Sequence, residues 1–129
     1  MISLKELNPK NFKTTPEIDD NLTQLLTKIN IIRTAYAKPM TVSSGLRDLE
    51  DHKRIYASKG IPDDKIPMGS RHLKGQAVDI ADPNGKLYKW CKSNEAVLIQ
   101  AGLYCEEGTK GWVHFQTVPP KSGKRWFLP

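Results

Sequence analysis

A chain of 129 residues, 38% hydrophobic and 26% charged, has room for one packed domain and little more. No apolar run approaches the roughly 18 residues of a membrane span, and Met1-Ile2-Ser3-Leu4-Lys5-Glu6 lacks the basic and apolar stretches of a secretory leader, so export by the chain itself is not expected. The net charge of +6 favours acidic partners such as an anionic cell-wall polymer, but the basic residues are scattered, with no aromatic-bearing basic stripe, which argues against nucleic acid.

Residues 1–15 are polar and read as an N-terminal arm. Thr15 before Pro16, with Glu17, Asp19 and Asp20 following, is a helix start: a hydroxyl cap, a proline in the first turn and acids suited to the helix dipole. Ile18, Leu22, Leu25, Leu26, Ile29 and Ile32 recur at three- and four-residue steps, which predicts a long amphipathic helix. It ends near Ala37, because Pro39 disfavours helical geometry at Lys38.

Residues 40–44 read as a short strand, 45–47 as a turn, and Asp48 as the cap of a helix running to about Ser58. Residues 59–70, punctuated by Gly60, Pro62, Pro67 and Gly69, are irregular. Residues 77–81 form a predicted strand and 82–85 a turn; Leu87, Trp90, Cys91, Val97, Leu98 and Ala101 then fit one or two helices closed by Gly102. Residues 103–106 and 112–117 read as two strands around the glycine-bounded 107–111, a hairpin signature. The tail, 119–129, is irregular, and Trp126 and Phe127 suggest that it packs back onto the domain. Helices and short strands mix without regular alternation, which predicts a single α+β domain over 1–129 with a small, mostly antiparallel sheet. Cys91 and Cys105 lack metal-ligand spacing and read as small core residues.

Three histidines are present: His52, His72 and His114. His72 lies in a glycine-containing loop seven residues before Asp79, which interrupts the apolar strand between Val78 and Ile80. If the Asp79 face is interior, its charge demands a partner, and a divalent cation is one that works. If that strand is an edge, Asp79 simply faces water, and spacing alone admits both. Alternation puts Trp112, His114 and Gln116 on one strand face, the lining of a site or a solvent-facing side. Two histidines and a carboxylate, leaving a fourth position for water, have the composition of a catalytic zinc site.

Ser70-x-His72-x-x-Gly75-x-Ala77-x-Asp79, followed at a distance by Trp112-Val113-His114, resembles the M15 family of zinc D-Ala-D-Ala metallopeptidases, which shares its fold with the hedgehog signalling domain. Ser43-Ser44-Gly45-Leu46-Arg47 is similar to the family's Ser-Gly-Tyr-Arg segment, and residues 116–125 resemble small phage-encoded members. The likeness spans about residues 40–129. It implies Zn2+ held by His72, Asp79 and His114. It also implies Arg47 as a catalytic or substrate-binding residue beside Ser70 and Trp112, and hydrolysis of a peptidoglycan stem peptide at a D-Ala-D-Ala or L-Ala-D-Glu bond. A monomer acting at the bacterial cell wall, delivered by a phage or carried in a virion, fits that picture. The pattern departs at Gly111, where many members carry the acidic general base three positions before the last histidine. The role then falls to Glu106, whose position after Tyr104-Cys105 is similar to the hedgehog branch, with Glu107 as the alternative base. A zinc-stabilised binding module without catalysis is the other reading of that departure. His52 reads as a bystander or a support for its neighbours.

Overall fold

The computed structural model describes residues 1–128. Its longest element is helix α2, Pro16–Tyr36, which follows a four-residue helix, α1, Leu4–Leu7. The Thr15 hydroxyl accepts from the Ile18 N–H at the start of α2. One side of α2 buries Leu22, Leu25, Ile29 and Ile32 completely or nearly so, each worth roughly 1.5–3 kcal/mol by removal from water. The sequence periodicity therefore points at the core.

The segment expected as an arm leading into α2 does more than that. Ser3 and Glu6 form a reciprocal capping box around α1, and Ile2 and Leu7 are buried. Asn30 of α2 brackets the main chain of Ile2: its Oδ1 accepts from the Ile2 N–H at 2.8 Å, and its Nδ2 donates to the Ile2 carbonyl at 2.9 Å.

Strands β1 (Val42–Ser44), β2 (Ala77–Asp82), β3 (Tyr104–Glu106), β4 (Gly111–Gln116) and β5 (Trp126–Phe127) make one sheet in the order β1-β2-β4-β3-β5. All pairings are antiparallel except β3 with β5. Helices α3 (Leu49–Ser58), α4 (Lys86–Ser93) and α5 (Glu95–Ala101) complete the α+β architecture. The expected helical stretch after residue 86 is thus two helices, broken at Asn94. The irregular 59–70 region contains a 3-10 turn at Asp63–Lys65, and a second one spans Arg71–Lys74.

Val78 and Ile80 of β2 and Val113 and Phe115 of β4 are fully buried against the helices. Cys91 and Cys105 sit in the same core, unbonded, and burial pushes the Cys91 thiol up to about 12. The tail expected to be irregular instead supplies β5, pairing Cys105 with Trp126 and Glu106 with Phe127; Pro129 lies outside the described residues. Among the described residues, no helix is long and apolar enough to cross a membrane.

Candidate functional site

Because strand side chains alternate faces, burying Val78, Ile80, Val113 and Phe115 on one side of the sheet sends Asp79 and His114 to the other. Asp79 and His114 are direct register partners across the β2–β4 ladder. β2 is an interior strand, flanked by β1 and β4, so Asp79 is not an edge carboxylate facing water. Its side chain is 13% exposed. His72 comes from the 3-10 turn after Ser70, whose hydroxyl accepts from the His72 N–H at 3.3 Å, and it is buried.

The three side chains converge. His114 Nδ1 lies 2.9 Å and His72 Nε2 3.3 Å from Asp79 Oδ1, and one ligand atom from each residue falls within 4.8 Å of the others. The far ring nitrogens fix which atoms face inward. His72 Nδ1 is 2.9 Å from the Gly45 carbonyl, which can only accept, so Nδ1 carries the proton and Nε2 turns a lone pair toward Asp79. Gln116 donates from Nε2 to the Val118 carbonyl at 2.8 Å, which fixes its amide so that Oε1 accepts from His114 Nε2 at 2.9 Å. His114 Nδ1 is then the inward atom. Three acceptors aimed at one point repel unless a cation sits among them, either a proton or a metal ion. Two imidazole nitrogens and one carboxylate oxygen suit zinc, and each histidine has the outer hydrogen bond typical of a metal ligand. His72, Asp79 and His114 could therefore hold a metal ion.

The electrostatics follow from this packing. Burial opposes the charge of Asp79, yet the close approach of the His114 and His72 imidazoles, when a proton is shared among them, holds its carboxyl well below the usual carboxylate range. Burial pushes His72 below the usual imidazole value, and Asp79 offsets only part of that. Burial acts likewise on His114, but the hydrogen bond and charge of Asp79 outweigh it, and His114 lies above the usual value.

Around the triad opens a cleft of about 820 Å³, lined by Arg47, Ser70, Glu106 and Trp112 among others. Burial raises the Glu106 carboxyl, while the nearby His114 charge pulls the other way. The hairpin between β3 and β4 forms with Cys105 opposite Phe115, and it brings Glu106 to the His114 side. Glu107 turns elsewhere, pairing with Lys92 at 2.5 Å and accepting from the Tyr88 hydroxyl at 3.4 Å. Trp112, 38% exposed, walls the cleft.

Arg47 is largely turned inward, with its side chain 11% exposed. Its Nε donates to Ser44 Oγ at 3.1 Å, Nη2 lies 3.7 Å from Asp79 Oδ2, and Nη1 lies 3.5 Å from His52 Nδ1. His52 is fully buried, donates from Nε2 to the Pro67 carbonyl at 2.7 Å and packs edge-on against Tyr56. Pro67 and Tyr56 both line the cleft, so His52 ties the 59–70 segment to Arg47. Sequence reasoning left unassigned the contributions of Gln116 and Gly45. Gln116 was visible on the His114 face through strand alternation. Gly45 stood in the segment resembling Ser-Gly-Tyr-Arg, but its bond to His72 joins residues 27 apart in the chain, which no local pattern encodes.

No curated protein matches the chain. The fold is similar to that of the Serratia marcescens L-Ala D-Glu endopeptidase ChiX, whose crystal structure aligns with a TM-score of 0.56 over 91% of this chain and 98% of that one, at 19% sequence identity. The family model described as peptidase M15 matches residues 1–116, a span that runs from Ile2 and Leu7 through all three converging side chains. The chain belongs to the peptidase M15 family.

Proposed function

We propose that this protein is a zinc-dependent peptidoglycan peptidase, with His72, Asp79 and His114 as the metal ligands and Glu106 as the general base. The observation that carries the reading is the convergence of three lone pairs on one point, each histidine held in the required tautomer by a partner on its far side. Zinc bound there supplies Lewis acidity toward a carbonyl oxygen and makes water a nucleophile near neutral pH.

The chain's own residues do the rest. Glu106 lines the same cleft; it takes a proton from the attacking water and returns it to the leaving amine. Arg47 steadies Asp79 through Oδ2, and its remaining N–H groups are available to a substrate oxygen. Ser70 braces the turn that carries His72, and Trp112 offers substrate an apolar wall. Glu107, committed to Lys92, takes no part.

The activity named for the Serratia protein favours a stem-peptide bond of the L-Ala-D-Glu kind over D-Ala-D-Ala. Delivery by a phage, and action as a monomer at the wall, belong to the same proposal; the phage part draws on the resemblance of residues 116–125.

The test is digestion of purified muropeptides with and without a chelator, alongside zinc stoichiometry. Products that vanish with the chelator and return with zinc are expected. Glu106→Gln should keep one zinc per chain and lose about 10²–10⁴-fold in kcat, the usual share of a general base. Full activity in that variant would remove Glu106 from the mechanism, and bound zinc with no turnover by the unaltered protein would leave a metal-stabilised binding module.

A further inference from the structure

The charges around the cleft divide into two zones. On the floor, Arg47 is matched to Asp79. Lys59, Arg71 and Lys121 line the same cleft, and among the described residues none of the three has a carboxylate within ion-pair distance. Lys59 and Lys121 are exposed and Arg71 is half-buried. Of the chain's 20 lysines and arginines, only Lys10 and Arg54 on Asp51, Lys92 on Glu107 and Arg47 on Asp79 pair with a carboxylate among the described residues; what distinguishes Lys59, Arg71 and Lys121 is that they line the cleft that holds the triad. The cleft's own carboxylates are Asp79, already shared among Arg47 and two histidines, and Glu106.

Lys59 rests over the Tyr56 ring at 5.2 Å, which leaves its charge uncompensated, and three cations with no carboxylate partner lining one cavity concentrate a positive field where a ligand enters. A neutral peptide would gain nothing from them. A peptide carrying free carboxylates would complete three pairings that the protein leaves open, and Arg71 offers a planar fork for one of them. Trp112, Pro119 and Phe127 add apolar surface to the same cleft, which suits a short peptide that carries acidic groups.

We infer that Lys59, Arg71 and Lys121 are specificity residues that select acidic peptides, so that the preferred wall peptide has its carboxylates free and not amidated. This rests on the peptidase reading above and names the substrate class of the same site.

The test uses three synthetic stem peptides identical except in charge: one with side and C-terminal carboxylates free, one amidated at the side carboxylate, and one amidated at the C-terminus. Binding is measured by calorimetry on zinc-loaded Glu106→Gln protein, and turnover on the unaltered enzyme. The all-acid peptide should bind about tenfold more tightly at low salt than at least one amide, a ratio in the range of two or three rim ion pairs. Whichever amide loses affinity identifies the carboxylate that is read. The ratio should shrink in high salt and approach one when K59Q, R71Q and K121Q are combined; K59Q with K121Q, both at exposed positions, gives a control that spares the His72 turn. Equal binding of all three peptides overturns the inference, as does a ratio that survives the combined variant, which would move the selection to Arg47. Retained selectivity in binding without any turnover would instead overturn the peptidase reading and leave this one standing.

Discussion

His72 and His114 reach the same point from different kinds of scaffold. His72 sits on a 3-10 turn, and its outer N–H goes to a main-chain carbonyl, that of Gly45; His114 sits on strand β4, and its outer N–H goes to a side-chain amide, that of Gln116. Both arrangements fix a tautomer, but they fail differently. Gly45 is itself pressed against the N-terminal segment, where the Leu46 N–H donates to the Leu7 carbonyl at 2.8 Å. The His72 side therefore depends on how residues far from the cleft pack, whereas the His114 side depends on one replaceable side chain.

Gly45→Ala breaks the first arrangement and should have the largest effect. A Cβ at residue 45 would lie 2.3 Å from the Leu7 carbonyl oxygen and 2.9 Å from its carbon, so main chain must move against main chain. A loss of about 1–3 kcal/mol is expected, read as a lowered Tm, together with weakened zinc binding measured by chelator competition. An unchanged Tm would show that the N-terminal segment can shift without disturbing the Gly45 carbonyl.

Gln116→Leu breaks the second arrangement and separates metal binding from folding. Removing the acceptor from His114 Nε2 should lower zinc affinity about 10–100-fold, with a smaller fall in Tm than Gly45→Ala gives. Gln116→Glu restores an acceptor and should recover most of the affinity; if it does not, the donor bond to Val118 matters more than the tautomer.

The smallest effect is expected from Lys10→Ala. Lys10 pairs with Asp51 at 2.6 Å but is half exposed, and Asp51 keeps Arg54. A change of about 0.2–1 kcal/mol, with unaltered zinc affinity, is expected from denaturant melts. A larger effect would mean that charge, and not the Leu7 packing, seats the N-terminal segment.

The sequence made the cleft side of the sheet legible because alternation is a local property. Val78, Ile80, Val113 and Phe115 had to face one way, so Asp79, His114 and Gln116 had to face the other. The ladder of Leu22, Leu25, Ile29 and Ile32 was equally plain. What stayed hidden was long-range. The capping pair Ser3 and Glu6 was in view, but two buried residues, Ile2 and Leu7, are too few to show a period. β5 is two residues long and pairs in parallel with a strand some twenty residues earlier, which no local pattern encodes. The inward turn of Arg47 toward Asp79, and the His52 link from Arg47 to Pro67, likewise depend on segments that meet only in the fold. Glu106 and Glu107 are adjacent in sequence, and only the hairpin separates one toward the cleft and the other toward Lys92.

If the proposed metal site is right, the direct pairing of Asp79 with His114 across two strands would also make metal uptake a proofreading signal for folding. A slip of one residue between those strands would turn one side chain of the pair to the opposite face. Such a chain could keep its helices and much of its far-ultraviolet spectrum while losing the site. Zinc capture during refolding would thus time the moment at which the strands lock into their correct alignment, something that spectra of bulk secondary structure do not resolve.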